Sequence, residues 1–540
     1  MLSTMMNVPL NLSHFLERAG KLFGAQEIVS RMPDKSLHRY SYADFYRRAR
    51  LLAEALTKAG LKRGDRVATL MWNHYAHYET YFGVIVSGGV LHTLNLRLSP
   101  DDIAYIANHA QDRFLIVDDV LLPLFEQFRK QVKLDRVIVV PLTGKPVPAG
   151  SDDYEAFLRT ATGDFQYPEM DENEACAMCY TSGTTGKPKG VVYSHRSQVL
   201  HSLGQAIPDA IGLSGRDVIL PVVPMFHANA WGVPYTAAML GCKVVFPGPH
   251  LHPDDLIPLL ESERVTVSCG VPTIWLPMVQ ILEKNKGKWK LHPDLRLTVG
   301  GSAVPEAMIR AYARLGIQVI QGWGMTETSP LATLSKLTAS QGQLSDDQRF
   351  AVQAMQGYPL PLVEIRCVGD EGEQPWDGKS VGEIQVYGPW ITGSYYNQPA
   401  PENFADDGWL RTGDVATIDA LGFVKITDRT KDLIKSGGEW ISSVELESAV
   451  MGHPAVQECA VIAVPHPKWA ERPLAVIVLK PGAQATESDI KAHLAQKFVK
   501  WMVPDAYVFV DAIPRTSTGK FLKTRLREQY REWKWADASG

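Results

Sequence analysis

Apolar positions along this chain alternate between a helical and a strand period. Over residues 41–60, Phe45, Leu52 and Leu56 return to one face, Ser41 with Asp44 forms a capping box, and Gly60 stops the helix so predicted. A short buried strand is expected over 66–71 (RVATLM) and a helix over 78–86, and the alternation continues through VIVV at 137–140, KVVF at 243–246 and RLTVGG at 296–301. Helices alternating with apolar strands imply an α/β architecture with largely parallel sheets. From about Gly357 the segments VEIRCV, VGEIQVYG and GFVKIT alternate apolar and polar residues between Gly- and Asp-rich turns, which predicts a smaller antiparallel or β-barrel-like unit. Beyond about residue 430 the pattern predicts a compact α+β region. It has a helix over 444–451, strands at CAVIAV and LAVIVL, and a helix from a Thr486/Asp489 capping box to Trp501. The expected organisation is therefore a large N-terminal domain, 1–430, and a smaller C-terminal domain, 431–540.

Length and composition set the outer bounds. A chain of 540 residues calls for two to four domains, and 45% apolar with 21% charged residues is ordinary for a soluble globular protein. A formal charge of -4 offers no case for a nucleic-acid partner, and the Lys/Arg-rich segment 520–531 reads as one face of a terminal helix. The N-terminus has no secretory pattern and no apolar run reaches the length of a membrane span. Six cysteines give no disulfide framework, so a reduced cytoplasm is the expected setting. Cys176 and Cys179 form a C-x-x-C within an apolar strand pattern, where residues three apart face opposite ways, so they read as core residues and not as metal ligands.

The strongest chemical signal is TSGTTGKPKG at 181–190, which packs three glycines, four hydroxyl residues and two lysines directly after a predicted strand. Glycines let backbone N–H groups turn toward an anion, hydroxyls add neutral donors and lysines balance charge, which suits a polyphosphate. Gly183 and Gly186 are separated by two residues, so the Walker A spacing is not met. A second signal is TGD…DR. Asp414 and Arg429 flank a hairpin pattern turning at DALG, and antiparallel pairing brings them together. They face each other directly only if the pairing centre lies one residue beyond the middle of DALG, so a bulge and a diagonal pairing are both open.

With this loop and the motifs that follow it in order, nearly the whole chain resembles the adenylate-forming superfamily: acyl-CoA synthetases, luciferases and the adenylation domains of peptide synthetases. The resemblance implies roles for particular residues. Thr181, Ser182, Gly183, Thr184, Thr185, Gly186 and Lys187 would embrace the β- and γ-phosphates of ATP, with Thr184 also near Mg²⁺. In GWGMTE, Gly322, Trp323 and Gly324 would line the nucleotide site, Thr326 would contact the α-phosphate and Glu327 would bind Mg²⁺, as a hard cation requires. Trp323 stands where many relatives have Tyr and offers a flat face for adenine. Gly301, Ser302 and Ala303 would also bind nucleotide, Asp414 and Arg429 the ribose hydroxyls, and Lys520 in PRTSTGK the carboxylate and α-phosphate during adenylation. In DRTKDLIKSGGEW, Lys431 would be the hinge, Lys435 would serve thioester formation, and Gly437, Gly438, Glu439 and Trp440 would line the path of coenzyme A.

PMFHANAW and IKSGGEWISSVELE resemble medium- and long-chain fatty acyl-CoA synthetases, which puts His227 at the reaction centre and makes Trp231 a gate to an acyl tunnel. A branch of the family that activates short thioether acids keeps chain length open. No acidic residue in these segments could hold an amino group, which disfavours amino-acid substrates. A non-catalytic binding relative would have lost Lys520, Glu327 or Asp414, and all three are present. The resemblance also implies a homodimer.

Overall fold

The computed structural model describes every residue except Leu2, 182–186, 430–431, 437–438, 517–519 and 536–540, and nothing of the Glu439 side chain. Two parallel-rich sheets form the body. The seven-stranded one is ordered 152–153, 136–140, 112–118, 66–70, 90–93, 175–180, 190–194, and only its last pair is antiparallel. The nine-stranded one runs parallel from 318–324 through 296–299, 267–270, 218–221 and 243–246 to 27–31, with antiparallel strands at both edges.

The main core joins strands of both sheets to the helices Tyr42–Lys58 and Tyr75–Val86. The first helix carries the expected capping box, and its buried stripe includes Phe45, Leu52 and Leu56. The second begins at Tyr75 and is buried all round from Ala76 onward, so it shows no amphipathic period. Its one carboxylate, Glu79, is accommodated because Arg48 Nε (2.7 Å) and the Tyr154 hydroxyl (2.9 Å) both donate to it. Cys176 and Cys179 lie buried in the strand Ala175–Tyr180, and burial pushes the Cys179 thiol up to about 11.

The alternating region after Gly357 forms a five-stranded antiparallel sheet ordered 372–373, 364–369, 382–387, 410–418, 424–429. The C-terminal region builds its own five-stranded sheet around the long hairpin of Val456–His466 and Ala470–Leu479, with the helix Ser443–Met451 packed on it. One expectation fails here. The helix that starts at the Thr486/Asp489 box ends at Leu494, not Trp501. The Lys497 and Phe498 amides both turn back onto the Leu494 carbonyl, Val499 is extended, and Lys500–Met502 is a separate short 3-10 turn. Trp501 stays 43% exposed. Among the described residues no helix is long and apolar enough to cross a membrane.

Three of the buried histidines, His77, His195 and His201, together with the half-buried His227 on the cavity wall, make the body sensitive to acid. Burial lowers His77 and His201 to about 3 and His195 and His227 to about 4. The unfolded chain takes up these protons near the ordinary histidine value of 6.5 while the folded chain refuses them. Stability is therefore complete above that pH and falls as pH drops, by about 1.4 kcal/mol per pH unit for each histidine. Urea unfolding at pH 7, 6 and 5 should show a steeply falling midpoint. A flat midpoint would contradict the burial of neutral imidazoles.

Candidate active site between the two domains

A cavity of about 380 Å³ opens where the C-terminal domain meets the body. Its walls come from segments far apart in sequence, each placed by a local constraint. The strand Gln318–Gly324 leads into a 3-10 turn, Thr326–Thr328, in which Thr326 and Glu327 are buried. A Cβ on Gly324 would stand 1.7 Å from the Pro330 carbonyl oxygen, so only glycine permits this approach. The Tyr395 hydroxyl donates to Glu327 Oε1 at 2.8 Å, and the Tyr193 hydroxyl to the Thr326 carbonyl at 2.8 Å. Burial raises the Glu327 carboxyl above its ordinary range, with the Tyr395 bond and the positive charges of Lys520 and Arg429 pulling the other way. A buried carboxylate beside hydroxyls on a polar cavity wall suits a hard divalent cation.

The phosphate-type loop is anchored at its base. Thr181 donates its amide to the Lys189 carbonyl (2.9 Å), and Lys189 returns its own to Thr181 Oγ1 (3.0 Å). Lys187 and Lys189 line the cavity, the former 4.9 Å from the Tyr105 ring centroid and the latter bonded to Asn403 Oδ1 at 2.5 Å. Between these anchors, Ser182, Gly183, Thr184, Thr185 and Gly186 lie outside the described residues.

The hairpin settles the pairing that spacing left open. Ile418 faces Val424, Thr417 faces Lys425 and Ala416 faces Ile426, but Val415 faces Asp428 and Asp414 faces Arg429. One extra residue, Thr427, is bulged between the two registers, with its hydroxyl donating to the Val415 carbonyl at 3.1 Å. The bulge sets Arg429 Nε 3.1 Å from Asp414 Oδ1, and the Trp323 indole N–H reaches Asp414 Oδ2 at 2.8 Å. Asp414 is 5% exposed, so this is not a surface ion pair.

Opposite these groups, Ala228, Asn229, Ala230 and Trp231 have φ of 43°, 52°, 50° and 60°, followed by Gly232 at 74°: a left-handed turn. For L-residues this costs about 1–2 kcal/mol each. Gln205 holds it by donating to the Trp231 carbonyl (2.5 Å) while accepting from the Thr236 hydroxyl (2.7 Å). His227 precedes the turn and is neutral, because burial and then Lys520 and Arg97 lower it to about 4. Lys520 itself, anchored by its amide to Thr516 Oγ1 (3.1 Å), lines the same cavity as His227, Glu327 and Arg429.

Residues 16–396 match the AMP-binding enzyme family, and residues 445–520 match the AMP-binding enzyme C-terminal domain. This chain belongs to that family. It is 51% identical to a long-chain-fatty-acid--CoA ligase of Thermus thermophilus, over 98% of this chain and 97% of that protein. It is 45% identical to a 3-methylmercaptopropionyl-CoA ligase of Ruegeria pomeroyi, over 98% of this chain and 99% of that one. A crystal structure of an anthranilate CoA ligase in complex with anthranoyl-AMP superposes with a TM-score of 0.85 at 25% identity, covering 97% of this chain and 98% of that one.

In this AMP-binding enzyme the cavity gathers Thr181, Lys187, His227, Trp231, Gly301, Gly322, Trp323, Gly324, Thr326, Glu327, Arg429 and Lys520. Asp414 adjoins it through its bonds to Trp323 and Arg429. Ser302 and Ala303 are exposed and line a second, smaller crevice against Val444, Met451 and Phe521 of the C-terminal domain. Lys435 and Trp440 are also exposed and outside the cavity, with the ammonium 5.3 Å from the indole centroid. Lys431, Gly437, Gly438 and the Glu439 side chain lie outside what is described.

Tyr395 and Gln205 are lining residues that sequence reasoning passed over. Nothing local marks Tyr395. Gln205 did leave a signal, because Gln198, His201, Ser202 and Gln205 form a polar stripe at helical spacing on His195–Ala206, yet all four are fully buried.

Proposed function

We propose that this AMP-binding enzyme, working as a cytoplasmic homodimer, ligates a medium- or long-chain fatty acid to coenzyme A through an acyl-adenylate, releasing AMP and pyrophosphate. The observation that carries the reading is the convergence of Lys520 with Glu327, Arg429 and His227 on one cavity, although Lys520 comes from the far end of the chain. A carboxylate meeting the α-phosphate of ATP brings two negative charges together, and at about 4 Å they repel by roughly 4 kcal/mol at an effective dielectric near 20. Lys520 lines this cavity, and its ammonium would bridge both and stabilise the charge that develops at phosphorus.

Glu327, with Thr184 of the phosphate loop, would hold Mg²⁺, which neutralises phosphate oxygens when bound. Lys187 and the loop amides take the outer phosphates, Thr326 the α-phosphate, and Asp414 with Arg429 the ribose. His227, neutral at working pH, presents its ring beside the reacting carboxylate without adding charge. The acyl chain enters past Trp231, along a wall that includes Gln205, Ile211, Thr298 and Leu331. In the second half-reaction the C-terminal domain turns about Lys431, withdraws Lys520 and admits the thiol past Gly437, Gly438 and Trp440, with Lys435 brought to the site.

The test is a panel of straight-chain acids from acetate to palmitate, with benzoates, amino acids and a short thioether acid beside them, assayed with ATP, Mg²⁺ and coenzyme A for AMP, pyrophosphate and acyl-CoA together. Turnover should rise from acetate to decanoate. Peak turnover on acetate, benzoates, amino acids or a short thioether acid would remove the fatty-acid assignment, and sedimentation of the purified enzyme checks the dimer.

A further inference from the structure

The Trp323 side chain does something that an aromatic face alone does not explain. Its indole N–H donates to Asp414 Oδ2 at 2.8 Å, while Arg429 Nε takes the other oxygen at 3.1 Å. Both oxygens are thus fixed by planar donors, and Trp323 and Asp414 are only 8% and 5% exposed. The backbone supports this arrangement from both sides. The pairing of the Trp323 strand with its neighbour slips at Trp323/Gly324, where Ala332 is extra on the neighbour, and that of the Asp414 strand slips at Val415/Ala416, where Thr427 is extra. Two irregularities, one in each sheet, lie next to the side-chain bond that joins these strands. A charge-assisted hydrogen bond in a buried setting is both directional and strong, and so is suited to fixing the plane of a carboxylate.

We propose that Trp323 is a positioning residue for the sugar of the nucleotide: its N–H, together with Arg429, fixes the Asp414 carboxylate so that its remaining lone pairs meet the two ribose hydroxyls. This rests on the reading of Asp414 as the ribose acceptor, and the experiment separates the two. Trp323 acts through its ring edge, and because the residue also lines the cavity the hydrogen bond does not use up the ring surface a base would need. Removing the N–H while keeping a face should weaken sugar recognition and leave base recognition in place.

The experiment compares ATP with 2′,3′-dideoxy-ATP in the parent enzyme, W323F and D414N, following pyrophosphate release with a saturating acid. A second Trp323 variant carries β-(3-benzothienyl)alanine, which keeps the shape and faces of the bicyclic ring and replaces N–H by sulfur. That variant keeps the test open if W323F folds poorly. Removing the N–H should lower kcat/KM for ATP by about 10-fold, chiefly through KM, since a hydrogen bond to a charged group is lost. On the dideoxy nucleotide the same variants should lose less than about 2-fold, because the partner hydroxyls are already gone. D414N should show the same selectivity for ATP more strongly. If D414N is selective but the Trp323 variants lose equally on both nucleotides, the positioning role is wrong and Trp323 serves the base or the fold. If D414N itself loses equally on both, the ribose reading falls and the role of Trp323 falls with it.

Discussion

Replacing Lys520 with alanine should slow acyl-adenylate formation by about 10³-fold, at the upper end of what one electrostatic group contributes to a transition state. Thioester formation from supplied acyl-adenylate should stay within a few-fold of the parent enzyme. The asymmetry follows from position. Lys520 reaches the cavity from the C-terminal domain, held there by the Thr516 contacts and the Arg515–Phe521 bridge, and its charge is felt at both Glu327 and His227. On the proposed mechanism it acts in the domain arrangement seen here, and the turn of the C-terminal domain would carry it away. Exchange of labelled pyrophosphate into ATP reports the first step, and single-turnover thioester formation from the adenylate reports the second. Equal loss in both would show that the two steps share one arrangement.

The second large effect concerns the seam between the domains. Lys523 is buried, with its ammonium 2.8 Å from Glu447 and 2.5 Å from Ser443 Oγ, and Glu447 also accepts the Val461 amide at 2.8 Å. Asp428, at the end of the body's last strand, accepts the Ser443 amide at 2.6 Å, and Arg527 pairs with Asp432 at 2.6 Å. Burial would discharge Lys523, but Glu447 and Asp428 more than offset it and raise its affinity for the proton. Lys523→Ala leaves two buried carboxylates without their cation and should destabilise the C-terminal domain by about 3–5 kcal/mol. Removing the acid as well, as Lys523→Met with Glu447→Leu, should recover most of that loss, because the pair stabilises little once its desolvation is counted. Calorimetric melting of the single and double variants measures both. A single variant melting like the parent would mean the charge is solvated after all.

Much of this arrangement was legible in the sequence because local rules and long-range packing agree. The Ser41/Asp44 box and GWGMTE each impose their geometry on a few consecutive residues. What stayed hidden depends on partners distant in the chain. The register of the Asp414–Arg429 hairpin turns on the Thr427 bulge, and that bulge is held by the Ile426 amide on Gln356 Oε1 (2.6 Å) and by the Ser442 hydroxyl on the Thr427 carbonyl. No count of residues in the turn could supply those two bonds. The premature end of the helix at Leu494 has the same character, because beyond it the chain turns so that Phe498 and Met502 pack on the C-terminal core while Val499 and Trp501 stay exposed. Tyr395 reaches Glu327 across 68 positions, and the left-handed turn at 228–231 contains no glycine to announce it.

That turn constrains how such a protein can diversify. A backbone coiled in the mirror sense punishes any branched β-carbon, so valine, isoleucine and threonine are barred at 228 and 230, and the choice narrows to alanine, glycine or asparagine. Its last carbonyl is also pinned by Gln205, which fixes where the Trp231 ring begins. On the proposed reading of Trp231 as the acyl gate, drift toward a new acid would be diverted from that turn to other residues of the cavity wall, Ile211, Thr298 and Leu331, where a change of volume meets no left-handed backbone.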